Sequence, residues 1–261
     1  MSAGPQATAE LRKLAHALDV EPERLAVVAG LPAEDLRTLR TQVSNALFEA
    51  DKLAFVRVAA LSKAVPGSVA AKLTELVLPP IIAARTAELL DPHRAADMVG
   101  RLSESYVAEV AMRMDAARAP HVVEAIPSAK VGAVARELAR REEWVVIGGF
   151  VAQVSDRALA ASVAEFSGEQ LLRIGFVLDD VGRLDEIGAL LTDEQIDDLL
   201  RASATSGLWV ELDELVSHLT GPRRERLAER FARQPAAVRE AFAGAASSGA
   251  LSAGTLAVLT P

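Results

Sequence analysis

Apolar residues recur three and four positions apart through nearly the whole chain, as in Leu11, Leu14 and Leu18 and again in Val131, Val134 and Leu138. That period belongs to an amphipathic helix. Strict alternation, the mark of a half-buried strand, is missing, and aromatics, which enrich strands together with β-branched residues, make up only 4% of the chain. The pattern predicts an all-α protein. Ser155, Ser167 and Thr192 each precede an amphipathic run and should start helices. Ser167 with Gln170 and Thr192 with Gln195 have the spacing of a capping box, in which each side chain satisfies a backbone N–H of the other residue. Successive start signals lie about one short helix apart, too close for a long-helix bundle and typical of stacked helix pairs. The expected fold is therefore an irregular α-solenoid, a superhelix of short stacked helices.

Two stretches are apolar all round, Leu76 to Ile82 and Trp144 to Val151. A helix with no polar face must be covered on every side. In the first stretch the pair Pro79-Pro80 should break the chain, because proline has no N–H and its ring clashes with the preceding turn. In the second, the doubled glycine Gly148-Gly149 points to close helix packing. Exposure of that helix would leave a patch of a size that monomers avoid, so it needs cover from further helices of the chain, a second subunit or an apolar ligand. Trp144 and Phe150 are its candidate interface or pocket residues.

One internal repeat is readable. Leu90-Asp91-Pro92-His93-Arg94-Ala95-Ala96-Asp97-Met98-Val99 reappears as Met114-Asp115-Ala116-Ala117-Arg118-Ala119-Pro120-His121-Val122-Val123. The Asp, the Arg, the first Ala and the last Val coincide, and Leu102 matches Ile126 as the closing apolar residue. Looser versions start near Val154 and Leu191 at larger intervals, so the period drifts where a regular solenoid would hold it. The phrase from Leu90 to Met98, closed by Leu102, resembles the repeat of the N-terminal cytoplasmic helical domain of the MgtE magnesium channels, which is related to the superhelical repeats of the motor-switch protein FliG. The likeness is clearest over residues 90–127 and fades through about residue 220. It implies an architecture used as a docking and regulatory element, with no metal-binding position carried over. The organisation expected is an N-terminal helical hairpin region over 1–65, an MgtE-N-like repeat region over 66–240, and an Ala/Gly/Ser-rich flexible tail or short last helix over 241–261.

Composition mainly excludes. Half of the residues are apolar, 51% of 261, ample for a core without disulfide or metal support. There is no cysteine, which removes disulfide frameworks, cysteine zinc sites and cysteine nucleophiles and suits a reducing cytoplasm. Met1 to Ala9 lacks the basic segment and apolar run of a secretory signal. The longest uncharged, strongly apolar run, Trp144 to Ser155, falls short of the roughly 20 residues of a membrane helix. A net charge of −8 repels phosphate backbones and anionic lipid, so neither nucleic acid nor a membrane span is expected. Lysine supplies only five of the 28 basic residues in a chain rich in Ala and Val, which reads as the coding bias of a GC-rich bacterium.

Catalytic signatures are missing. His16, His93, His121 and His218 lie far apart, none with the i, i+4 partner of a helical metal site. There is no Gly-x-Ser-x-Gly, Walker or dinucleotide pattern. Leu14 to Ala29 has the rhythm of a helix-turn-helix, but Glu23 to Ala29 would offer mostly apolar groups to bases, and an ordinary hairpin is preferred. Charge is uneven: between Asp179 and Glu214 eleven acids stand against Arg183 and Arg201, and an arginine-rich segment, Arg223 to Arg239, comes next. Such a band is by default a solvated helix face. Its functional reading is a surface that meets a basic partner or a divalent cation, with Asp193, Asp197, Asp198 and Asp213 as the partner-binding candidates. The function expected is a cytoplasmic, non-enzymatic helical-repeat module that binds a protein partner or itself without a cofactor. The alternative is a carrier or sensor that encloses an apolar small molecule such as a lipid or steroid.

Overall fold

In the computed structural model, which describes residues 4–62 and 65–260, every regular element is helical and no strand occurs among the described residues. The chain divides into two compact units, Met1–Ser162 and Val163–Pro261, a division that falls inside the expected 66–240 region. Lys63, Ala64 and Pro261, near the expected boundary at 65 and at the end of the expected tail, lie outside the described residues.

The first unit contains α1 (Pro5–Leu18), α2 (Ala33–Ser62), α3 (Gly67–Val77), α4 (Pro80–Ala87), α5 (Pro92–Arg101), α6 (Glu104–Ala111), α7 (Pro120–Ala125), α8 (Ser128–Arg140) and α9 (Trp144–Val151), with α10 (Asp156–Val163) ending at the division. Helices pack on their next-but-one neighbours: α2, α4, α6 and α8 form one row, and α3, α5 and α7 the other. Short antiparallel helices with one apolar stripe each are covered this way from both sides. Ala59, Ala70, Leu90, Ala95, Met98, Ala119 and Val122 form a shared core. The first helix lies along α2 through Ala7, Leu14 and Leu36, with Leu11, Leu25 and Val28 packed around them.

Local chemistry accounts for the boundaries. The Pro79-Pro80 pair separates α3 from α4, and prolines also open α1, α5 and α7 at positions where a helix needs no N–H. The second helix is 30 residues long, longer than the short helices expected, because neither Gly nor Pro occurs between Pro32 and Pro66. Glu23 to Ala29 forms part of a 3-10 turn and the further turns after it, so no recognition helix stands there. Both Asp residues of the repeat cap the helical turn that begins beside them: Asp91 accepts from the N–H of His93 at 3.0 Å and of Arg94 at 3.3 Å, and Asp115 from that of Ala117 at 3.1 Å. The copies then diverge. Pro120 cannot donate back into the turn that Asp115 starts, so Ala116–Arg118 stays a 3-10 turn and α7 begins afresh at Pro120.

The second unit contains α11 (Gly168–Phe176), α12 (Arg183–Leu190), α13 (Asp193–Ser206), α14 (Trp209–His218), α15 (Gly221–Ala232), α16 (Ala236–Ser247) and α17 (Ala253–Leu259). The row α11, α13, α15, α17 repeats the next-but-one rule, and α14 packs against α11, α12 and α17. Leu172, Leu184, Leu199, Leu200, Leu212 and Val216 are fully buried. Both capping boxes form, Ser167 with Gln170 and Thr192 with Gln195. Gly207, at φ 67°, ends α13 in the left-handed conformation that lacks a steric cost only for glycine. Residues 241–260 hold the end of α16 and all of α17, with Leu251 and Leu259 buried.

The tightest approach is at Gly168, where α11 starts against the backbone of α13. A Cβ there would lie 2.2 Å from the nitrogen of Leu199, closer than atoms pack, and the obstacle is backbone that cannot swing aside. Gly168→Ala should therefore cost about 1–3 kcal/mol of stability, measured by urea denaturation monitored through Trp209; an unchanged midpoint would show that α11 is not held this close.

Candidate functional site

The expected docking residues lie in the second unit, where the next-but-one stacking brings the acidic band onto the arginine-rich segment. On α13, Asp193 and Asp197 are four residues apart and share a helix face. On α15, Arg226 and Arg230 repeat that spacing, with Gln234 four residues further on. Asp193 accepts from Arg226 Nη2 at 2.6 Å and Nε at 2.9 Å, and lies 3.3 Å from Arg230 Nη1. Asp197 takes the two-pronged contact of Arg230, through Nε at 2.9 Å and through Nη2, and also accepts from Gln234 Nε2 at 2.7 Å. Arg226 reaches further, donating to the carbonyl of Leu191 at 2.9 Å. Paired guanidinium and carboxylate groups of this kind are geometrically selective and about twice as strong as neutral hydrogen bonds.

Three further carboxylates of the band close helix ends. Asp198 accepts the N–H of Gly168 at 2.6 Å, Asp185 that of Thr220 at 2.7 Å, and Asp213 both the N–H and the hydroxyl of Ser252 at 2.8 Å. Each thus meets an orphan donor at the start of another helix. Asp193, Asp197, Asp198 and Asp213 therefore have partners within the chain, and the docking reading of the band is not carried by them. Hydrogen bonds from Arg226 and Arg230 hold the carboxyls of Asp193 and Asp197 below the ordinary range, and the Thr220 N–H does the same for Asp185. All three are ionised at neutral pH.

The first unit uses the same device. Glu75 on α3 accepts from the N–H and hydroxyl of Ser103, the cap of α6. Lys130 on α8 donates to the carbonyl of Leu102 at the end of α5, at 2.5 Å. At the end of α4, Glu88 has a side chain only 1% exposed; one oxygen accepts from Arg85 at 3.0 Å and from the Asp115 N–H at 3.4 Å, while the other is buried without a hydrogen-bond partner among the described residues. Burial pushes this carboxyl above its ordinary value, against the lowering pull of Arg85, of the Asp115 N–H and of Arg118. Arg118 itself lies over the ring of Phe48, 4.4 Å from its centroid. Nothing in the sequence marks Glu88, because its partners are Arg85 in its own helix and a backbone N–H 27 positions away.

The helix Trp144–Val151 forms as expected and is covered by the chain itself: α1, α8 and the turn at Ala116–Arg118 all pack on it. Val146, Ile147 and Val151 are buried, whereas Trp144 and Phe150 are half-buried. In the second unit an apolar crevice between Leu191, Ile196, Leu199, Leu215 and Leu219 has a volume of about 20 Å³, room for about one water. No group of three metal-ligating side chains occurs among the described residues. His16 contacts the carbonyl of Met112 and His218 that of Glu214, and His93 and His121 are both exposed.

Further exposed apolar side chains lie elsewhere. On α3, Val69, Leu73, Leu76 and Val77 are 46, 51, 71 and 71% exposed, and on α2 Leu53 and Val56 are 78 and 45% exposed. No helix of the described residues is long and apolar enough to cross a membrane. Compared with protein-family models, with curated proteins and with solved structures, the chain matches none.

The carboxyls of the seams respond to pH in opposite senses. Carboxyls with lowered values contribute stability above the ordinary carboxylate range and lose it as pH falls through their folded values; Asp185, Asp193 and Asp197 place that loss below the ordinary 3.8. Glu88 is the reverse: its raised value makes its contribution decline as pH rises from the ordinary 4.5 through the folded value. With one tryptophan per unit, Trp144 and Trp209, urea titrations of the single-tryptophan variants should show the contribution of Asp193 and Asp197 to the second unit falling on acidification below 3.8 and that of Glu88 to the first unit declining as pH rises from 4.5, against Asp97, Glu104 and Glu137 of the same unit, whose lowered values act in the opposite sense. Glu88→Gln should remove that decline, and Asp197→Asn should cost the second unit roughly 1–3 kcal/mol at neutral pH. A pH profile of the first unit that Glu88→Gln leaves unchanged would contradict the assignment.

Proposed function

We propose that this chain is a non-enzymatic helical-repeat module that binds protein through the uncovered face of α2 and α3. One observation carries the reading: six large apolar side chains, Leu53, Val56, Val69, Leu73, Leu76 and Val77, stand 45 to 78% exposed at the start of the helix stack. They leave on the order of 600 Å² of apolar surface, the upper end of what monomers expose and a size typical of interaction sites. The MgtE-like repeat supports the same reading, as an architecture used for docking. The cysteine-free, acidic composition favours a cytoplasmic setting and disfavours nucleic acid.

The carrier reading would need an apolar cavity of ligand size, and the crevice of the second unit does not supply one. Native mass spectrometry separates the two. The module reading expects a protein complex that Leu73→Asp with Leu76→Asp weakens about 30-fold, the effect of losing about 2 kcal/mol at an interface hot spot, with the helical circular dichroism retained. A monomer that carries one lipid-sized mass, and keeps it in the double variant, would decide for the carrier.

A further inference from the structure

Two buried groups of the first unit lack hydrogen-bond partners among the described residues and are complementary: the second carboxyl oxygen of Glu88, an acceptor, and Nε of Arg118, a donor. They belong to one cluster. Arg118 is among the charges that act on Glu88, and its guanidinium lies over the Phe48 ring at 4.4 Å from the centroid, with that of Arg85 at 6.0 Å from the same centroid. Arg85 in turn holds the first oxygen of Glu88 at 3.0 Å. The turn that carries Arg118 is pinned to that oxygen as well, through the N–H of Asp115 three residues earlier. Arg118 itself is engaged with α2, on the ring of Phe48 and on the amide oxygen of Asn45. Asp115 Oδ2 lies 3.4 Å from Nε without a hydrogen bond between them.

We infer that Arg118 is a proton-controlled arm: with Glu88 protonated it lies on Phe48 and Asn45 of α2, and with Glu88 ionised it turns to the second Glu88 oxygen. The inference is independent of the docking reading. A Glu88 side chain 1% exposed tolerates an unpartnered oxygen far better as a neutral acid than as a carboxylate, because a bare buried charge is the costlier state. Ionisation also creates the stronger partner, since a guanidinium bonds a carboxylate more tightly than it does a neutral amide or a phenyl face. Burial holds the carboxyl above its ordinary 4.5, which places the exchange above that pH.

The charged groups around Glu88 single out Arg118 as the side chain that moves. Arg85, from the same helix, already bonds the first oxygen. On α2, Lys52 lies 5.8 Å from the Phe48 centroid and pairs with Glu49 at 2.8 Å. On α6, which also packs on α4, Glu104 pairs with Lys130, the Tyr106 hydroxyl donates to the carbonyls of Thr74 and Leu78, and Glu109 lies 3.7 Å from Arg141. Among these groups Arg118 alone has a buried donor without a partner. Its position decides whether the turn at Ala116–Arg118, on which α9 packs, is tied to α2 or to the end of α4.

NMR of the full chain reads the arm directly. Below pH 4.5 the side-chain methylene protons of Arg118 should carry the upfield shift of a group over a phenyl face, and they should lose it as the pH rises through neutrality. The side-chain amide of Asn45 should move with the same midpoint. Glu88→Gln, which keeps the shape and removes the charge, should hold both signals at their acid positions throughout, and Arg118→Ala should abolish the titration of Asn45. Arg118 signals that stay shifted at every pH, or a titration that Glu88→Gln leaves in place, overturn the inference. So does an Asn45 amide that still titrates in Arg118→Ala. If Arg118→Ala loses the helical circular dichroism, the wild type and Glu88→Gln decide without it.

Discussion

Short helices make a chain of this kind depend on how its helix ends are satisfied. Each helix leaves four N–H and four C=O groups without a partner in its own turns, and the seventeen α-helices of the described residues multiply that demand. Local caps such as Asp91 and the two capping boxes meet part of it. Much of the rest is met across the stack. Glu75, Glu88, Asp185, Asp198 and Asp213 accept backbone N–H groups 27 to 39 residues away, while Lys130 and Arg226 donate to carbonyls 28 and 35 residues away. Stacking places a side chain of one helix at the terminus of a helix two or three elements away, and each such bond in turn fixes which helices stack. Burial of leucines alone would not discriminate, since one apolar stripe fits many others; the charged caps specify the neighbour.

This division explains what could be read from the sequence. Signals that act within one turn were legible: the capping boxes at Ser167 and Thr192, the break at Pro79-Pro80 and the limits of Trp144–Val151 all depend on residues close to one another in the chain. The all-α fold came from the same range of signal. Pairings over 27 to 39 residues were not legible, because i, i+4 carboxylates look alike whether they face water or a neighbouring helix. The acidic band and the arginine-rich segment were both visible, yet only the stacking of α13 on α15 makes them partners. The drift of the repeat has the same origin. Ala95 and Ala119 occupy equivalent places in one core, while Pro120 shifts the helix start between the copies.

The opposite directions in which the carboxyls of the two seams are shifted arise from exposure. Asp193 is 48% exposed and faces two guanidinium groups, so its charged form keeps some hydration and gains partners. Glu88 is enclosed with one oxygen unpartnered, and burial outweighs the guanidinium beside it. The same residue class therefore anchors one seam by being charged and strains the other for the same reason.

The comparison of α9 with α3 shows why hydrophobicity along the sequence did not locate the uncovered face. Trp144–Val151 is the more apolar of the two and was the natural candidate for an interface. It sits between α1, α8 and the turn at Ala116–Arg118, and its buried residues find cover on all of them. The α3 helix contains Lys72, Thr74 and Glu75 and looks like an ordinary amphipathic helix, but it begins its row. A helix inside a row has two apolar flanks covered by the chain; a helix that begins one has a flank that its own row leaves open. Here the flank carries Val69, Leu73 and Leu76, where a capping helix would carry charges. Exposure is thus set by position in the stack, and the open end is where this chain departs from the composition of a closed one.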